Sequence, residues 1–266
     1  MRLDAHSTYP KNYLLNCYRV ARKTKAENVG GLFITHPGSG CYQALCVQAL
    51  TTHWFGVGNS GFRTGGKEAL ADTVPYGFFH RSVFNKVGMF DERLVRAQDY
   101  EFNRRLGKMG GKIFRSPSIY INYYNQASLM QFYKKQIFYE APYNAYMWYL
   151  APYTFAFRHA ITGLFVLGIL GGLLLAPFWP RIIGIPFLAT LIMYACLALF
   201  ASIRQASRYN EPRHVIFLPF AFFLFHFFHG LGIAYGLLRL LTFSAPLQKI
   251  KEPWKGAGRF RVMEQT

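Results

Sequence analysis

Two short stretches of this sequence hold residue types able to do acid–base or metal chemistry. Asp4-Ala5-His6 sets a carboxylate and an imidazole two positions apart. It is either a loose start that happens to carry an acid or the end of a buried strand. Gln98-Asp99-Tyr100-Glu101 begins a helix-like run that closes at Gly110-Gly111. An Asp at that place can act as an N-cap, with Glu101 complementing the helix dipole. The same amide groups keep a carboxylate ionised, so an oxygen facing a cleft can also accept a proton. The two roles are compatible.

Two further features are weaker. The glycine-rich run His53–Arg63 invites a phosphate cradle, but it lacks both the Gly-Lys-Ser/Thr ending of a P-loop and the Gly-x-Gly-x-x-Gly spacing of a dinucleotide site. It reads as a connection. His226 and His229 stand three apart in an apolar stretch. They suit a lipid-phosphate or metal contact, or else two neutral histidines bonded to neighbouring helices.

Elements to position these residues can be read from periodicity. Residues 11–25 suit an amphipathic helix with Leu14, Cys17, Tyr18 and Ala21 on its apolar side, and Pro10 in its first turn. A strand runs from Gly30-Gly31 to Thr35 and ends in a Pro/Gly turn, followed by a helix from Cys41 to His53. Arg81–Val87 forms a short helix, and Asp99–Met109 a longer one carrying Glu101 and Arg105 as an i,i+4 pair.

Beyond Phe157 the pattern changes to long apolar runs with basic clusters between them. Residues 159–178 and 182–203 are each about as long as one membrane crossing, and only Trp179-Pro180-Arg181 separates them. The third run, Val215–Leu241, is longer than one crossing needs. The first connecting loop carries Arg181, the second Arg204, Arg208 and Arg213, so the soluble half is expected in the cytoplasm. The basic tail, with Lys249, Lys251, Lys255, Arg259 and Arg261, then fits best if the third run is a hairpin bending near His229-Gly230. The expected divisions are 1–157, 158–243 and 244–266.

Thirty Lys and Arg against 12 Asp and Glu give a formal charge of +18, which favours anionic partners. No nucleic-acid recognition motif accompanies it, leaving phosphorylated small molecules and the anionic membrane face. Cys17, Cys41, Cys46 and Cys196 lack paired zinc spacing and read as reduced, buried thiols of a cytosol-facing chain. The first thirty residues have no apolar core of a secretory signal.

Taken in order, DAHSTYP, ENVGG, FGVGNSGFR, FNKVGMFDERLVRAQDYEFNRRL and HFFHGLGIAYGLL resemble family 2 glycosyltransferases, in the membrane-anchored exopolysaccharide branch related to succinoglycan glucosyltransferase. The resemblance implies an α/β, Rossmann-like GT-A domain followed by transmembrane helices. It implies transfer of a sugar, with inversion, from a nucleotide-diphosphate donor to a polyprenyl-linked saccharide or polysaccharide acceptor. Asp4-Ala5-His6 would stand at the family's Asp-X-Asp motif, with Asp4 and His6 facing a divalent Mg or Mn ion and the diphosphate. Asp99 would be the general base, although Gln98 replaces the more usual acid before it. Gly77 and Arg81 fall in the acceptor-side region. Lys135 and Tyr139 resemble a basic and aromatic segment that contacts the diphosphate or covers the donor, while an amphipathic helix lying on the bilayer explains them equally.

In relatives a nucleotide-base-binding half precedes the Asp-X-Asp position, and the expectation from this sequence is a domain without it. Two functions follow. One is an inverting glycosyltransferase of the cytoplasmic (inner) membrane, multi-pass and working in exopolysaccharide synthesis, incomplete as this chain. The other is a non-catalytic, truncated membrane protein keeping the acceptor-side half and anchor. A processive synthase fits less well, because three apolar runs offer little material for a pore.

Overall fold

The computed structural model describes residues 1–4 and 7–247. In chain order the elements are β1 (Ser7–Thr8), α1 (Tyr13–Thr24), β2 (Asn28–His36), α2 (Tyr42–Thr51), α3 (Trp54–Val57), α4 (Gly61–Thr64), β3 (Ala69–Leu70), β4 (Phe78–Phe79), α5 (Ser82–Val87) and α6 (Gln98–Lys108). There follow β5 (Ile113–Tyr124), α7 (Leu129–Lys135), α8 (Ala141–Leu150), α9 (Phe157–Leu175), α10 (Ile185–Tyr209) and α11 (His214–Leu241). A mixed sheet with helices thus precedes three helices long and apolar enough to cross a membrane. This is the arrangement expected of a GT-A-like domain with a helical anchor.

The sheet has the order β1-β5-β2-β4, with β3 also pairing β5. β2 and β5 run parallel, and the short strands β1, β3 and β4 pair antiparallel. The β2–β5 register slips between Gly30 and Leu32, whose partners are Arg115 and Tyr120. Pro117 sits in that bulge, where its missing N–H costs no ladder bond. Gly31 faces the same bulge, and a Cβ there would overlap the Ile119 carbonyl.

α1 covers the sheet through Tyr13, Cys17 and Val20. This corrects the expected face, because Leu14 and Tyr18 are 54% and 51% exposed. The stripe through Cys17 at i−4 and i+3 faces the sheet, and Tyr18 is left outside beneath the Arg22 guanidinium. Cys46 is buried like Cys17, whereas Cys41 and Cys196 are exposed, and all four thiols are free.

The expected bend near His229-Gly230 is absent: α11 is continuous over 28 residues. Its glycines serve close packing instead. A Cβ on Gly230 would strike the Thr162 backbone of α9, one on Gly232 the carbonyls of Gln136 and Ile137, and one on Gly236 the backbone of Pro142. Small residues of this kind let helix backbones approach closely. Both ends of α11 also touch the soluble half. At its start His214 is hydrogen-bonded to Tyr42 of α2 (3.3 Å), and at its end Leu240 packs on the cluster of Leu94, Tyr100, Tyr143 and Tyr146.

His226 and His229 are hydrogen-bonded across helices. His226 Nδ1 is 2.8 Å from Tyr194 Oη of α10, and His229 Nδ1 is 2.8 Å from Thr162 Oγ1 of α9. Within apolar surroundings such bonds satisfy polar atoms that lipid cannot.

Candidate active site

The start of α6 is an unusual turn. Ala97, the residue before the helix, has φ 61° and ψ 8° and offers no side-chain cap. Asp99 is therefore the second helical residue rather than the cap, and its carboxylate accepts the N–H of Tyr100 at 2.9 Å. The Asp99 side chain remains 36% exposed, enough to meet a ligand. A second non-glycine residue in the left-handed region, Tyr76 (φ 53°), lies beside Gly77. Left-handed backbone costs an L-residue about 1–2 kcal/mol, and such strain collects at functional sites.

Arg2 joins these two places. Its N–H donates to the Gly77 carbonyl at 3.2 Å, its guanidinium stands 3.6 Å from the Asp99 carboxylate, and it lies over the Phe90 ring. Gly77 is needed there because a Cβ would overlap Asn28 Oδ1 and the Phe79 ring. Two residues on, the Asp4 N–H donates to Tyr9 Oη at 2.7 Å. Tyr9 packs on Tyr13 and Tyr76, and Ser7 Oγ is 3.2 Å from Tyr76 Oη. Burial pushes both the Tyr9 and Tyr76 phenols up, so they remain neutral hydrogen-bonding groups beside Asp4. His6 lies outside the described residues.

Lys135 and Tyr139 are linked to Arg96. Glu140 accepts Lys135 Nζ at 3.4 Å and Arg96 at 2.9 Å, and the Arg96 guanidinium stands 5.6 Å from the centre of the Tyr139 ring. Arg96 is three residues before Asp99. Residues 136–140 form a π-helical turn, a form of helix often found at functional sites. Arg81 is exposed at the start of α5 and joins neither group by a side-chain hydrogen bond or ion pair among the described residues.

Behind Asp99 the helix is held from within. Glu101 and Arg105 are both fully buried and paired at 2.9 Å. Arg105 also donates to the carbonyls of Val87 and Met89 (2.5 and 2.7 Å), and Tyr153 Oη donates to Glu101 at 2.6 Å. The i,i+4 spacing predicted the pair, and the neighbouring carbonyls explain why it is buried rather than solvated. Arg158 at the start of α9 donates to Asp72 (2.5 Å), Asn59 (3.1 Å) and Tyr100 Oη (3.3 Å). No spacing rule points to Arg2, Arg96 or Arg158 in advance, since their partners are distant in sequence.

The glycine-rich run is a structural connection. Arg115 of β5 donates to the Lys67 carbonyl, and a Cβ on Gly61 or Gly66 would collide with its guanidinium.

Of the expected metal ligands the described residues include Asp4. Among the described residues no three His, Cys, Asp or Glu side chains converge on a point. One carboxylate, Asp4, suits an ion that arrives with phosphate oxygens and waters as its remaining ligands, the usual habit of Mg²⁺.

No protein-family model matches the chain. It is 26% identical over 188 residues to the dolichyl N-acetyl-alpha-D-glucosaminyl phosphate 3-beta-D-2,3-diacetamido-2,3-dideoxy-beta-D-glucuronosyltransferase of Methanococcus voltae, covering 68% of this chain and 52% of that protein. It is 31% identical over 130 residues to the succinoglycan biosynthesis protein ExoA of Rhizobium meliloti (strain 1021), covering 49% of this chain and 39% of the relative. The chain therefore spans about half the length, or less, of the curated relatives it matches. Both similarities agree with the resemblance drawn from the sequence, one to a glycosyl-transferring enzyme and one to a protein of exopolysaccharide synthesis.

Proposed function

We propose that this chain belongs to an inverting, membrane-anchored glycosyltransferase that moves a sugar from a nucleotide diphosphate to a lipid-linked or polysaccharide acceptor. The observation that carries the reading is the Arg2 bridge, in which one residue meets both Gly77 and Asp99 two positions before Asp4. An acidic residue on the donor side and a carboxylate at a helix start are then held by the same short segment.

In this mechanism Asp99 accepts the proton of an acceptor hydroxyl as that oxygen attacks the anomeric carbon. The anomeric carbon–oxygen bond breaks on the opposite face, and the nucleoside diphosphate leaves with the electron pair. Arg2 and the Tyr100 amide fix the direction of the Asp99 carboxylate. Asp4 would hold a divalent ion brought in with the diphosphate, and that ion, when bound, offsets charge on the leaving group. Lys135 supplies a second cation beside Arg96 and Tyr139 an exposed ring, while Gly77 offers its carbonyl to Arg2 on the acceptor side. His6 completes the donor side in this reading.

The soluble half is assigned to the cytoplasmic face of the inner membrane. Arg208 donates to the Thr52 carbonyl of the soluble half at 3.2 Å, so the end of α10 with Arg204 and Arg208, and Arg213 in the connection after it, share its side, and short basic segments flanking a span stay in the cytoplasm.

The test uses the purified chain in nonionic detergent with Mn²⁺, a panel of UDP- and GDP-sugars and a polyprenyl-diphosphate-linked sugar. Transfer that falls by about 10²–10⁴-fold in Asp99→Asn, with donor binding unchanged, supports the reading. Transfer from none of the donors, or equal rates in the variant, overturns it for this chain.

A further inference from the structure

A cleft of about 460 Å³ opens on the far half of α6, lined by Asp72, Asn103, Arg104, Lys108 and Tyr153 among others. It lies away from the Asp99 end of the helix, since Arg104 and Lys108 stand in its middle and last turns. Its single carboxylate is already matched, because Asp72 is paired with Arg158 at 2.5 Å. Arg104 and Lys108 make no ion pair among the described residues. Lys108 Nζ rests 5.2 Å from the centre of the Tyr153 ring, and Arg104 donates one nitrogen weakly to the Tyr153 carbonyl at 3.4 Å. Arg104 Nε is buried with no hydrogen-bond partner among the described residues.

A buried guanidinium nitrogen without an acceptor is costly, and an arginine fork beside a lysine suits the oxygens of a phosphate group. The carbonyl end of α6 works against an anion, which is why two cations rather than one are needed. The position narrows the source. Tyr153 is four residues before the first apolar span, and Arg158, which neutralises Asp72, is its second residue. The cleft therefore opens where the chain enters the membrane.

From this geometry we infer that the cleft between α6 and Tyr153 is a phosphate-binding site, separate from the Asp99 site, with Arg104 and Lys108 as its anion ligands. The phosphate belongs either to a phospholipid headgroup or to a soluble ion, and the site stands whether or not the chain transfers sugar.

The full chain is placed in nanodiscs of phosphatidylcholine alone, in the same nanodiscs with added inorganic phosphate, and in nanodiscs containing phosphatidylglycerol. Thermal unfolding is compared with a potassium chloride control of equal ionic strength. A ligand bound only by the folded state raises the midpoint with its concentration. A rise with inorganic phosphate identifies a soluble ligand, and a rise with phosphatidylglycerol alone a headgroup. In either case Arg104→Gln/Lys108→Gln must weaken half-saturation by about tenfold or more. Lys108→Gln, an exposed and mild change, provides the same comparison if the double variant does not fold. No rise beyond the chloride control in either medium, or an equal rise in the variants, overturns the inference.

Discussion

The Arg105 guanidinium and the Glu101 carboxylate meet at 2.9 Å with neither side chain reaching solvent. Burial still holds the Glu101 carboxyl above the ordinary carboxylate range, although Arg105 and Tyr153 pull it down. Because Arg105 also ties the carbonyls of Val87 and Met89, this pair fixes α6 against the turn that precedes it.

Arg105→Met should therefore cost roughly 3–5 kcal/mol, the usual loss when one member of a buried ion pair is removed. The sign of its pH dependence follows from the raised carboxyl. The folded state holds that proton more tightly, so the stability it contributes is complete below about pH 4.3 and is lost as pH rises through the folded value. Denaturant melts of the variant in detergent at pH 4.5 and 7.5 should show partial recovery at the lower pH, on buffer settings chosen from about that reference value.

Ala97→Gly should stabilise the fold by about 1 kcal/mol, because glycine adopts φ 61° without the Cβ clash that alanine pays. Calorimetry checks this directly. If the turn serves transfer, the more stable variant should also turn over more slowly, and an unchanged rate would separate the strain from function.

The two ends of α11 both contact the soluble half, so Ser244, just beyond the helix, should lie on the same side as Lys108. Ser244→Cys and Lys108→Cys, each in a background without native cysteines, should react with a membrane-impermeant maleimide in inverted vesicles. Labelling of Ser244→Cys only from the opposite face would refute the shared side.

Among the native thiols, Cys41 should alkylate first. It is exposed, and bonds from Ser39 and nearby amides hold its thiol below the ordinary range. Burial pushes the Cys17 thiol up to about 11. The Cys41 rate should reach half its plateau below the free-thiol value of about 8.5, while Cys17 stays unmodified until the protein unfolds. Mass spectrometry of iodoacetamide adducts over a pH series reads both.

The helices around Asp99 and the apolar runs were legible because each carries its own period or its own cap-and-glycine punctuation. β5 was not, since Pro117 breaks the alternation of Ile113, Ile119 and Ile121 and only the slipped register against β2 makes room for it. The bend in α11 was expected from the charge of the tail alone, and the glycines there serve another end. A glycine marks either a bend or a close neighbour, and only the Thr162, Gln136 and Pro142 backbones decide between them. At the site, Asp99 could be named from its motif, whereas Arg2, Arg96 and Arg158 act on partners that sequence spacing does not bring near.

Arg158 is the second residue of the first apolar span, and it grips Tyr100, the neighbour of Asp99. The start of α6 is thereby tied to the start of that span. A hydroxyl carried on a lipid is presented at a definite height, set by how many sugar units separate it from the anchor. If the proposed transfer holds, such a tie would favour acceptors whose hydroxyl lies at a matching distance from their anchor.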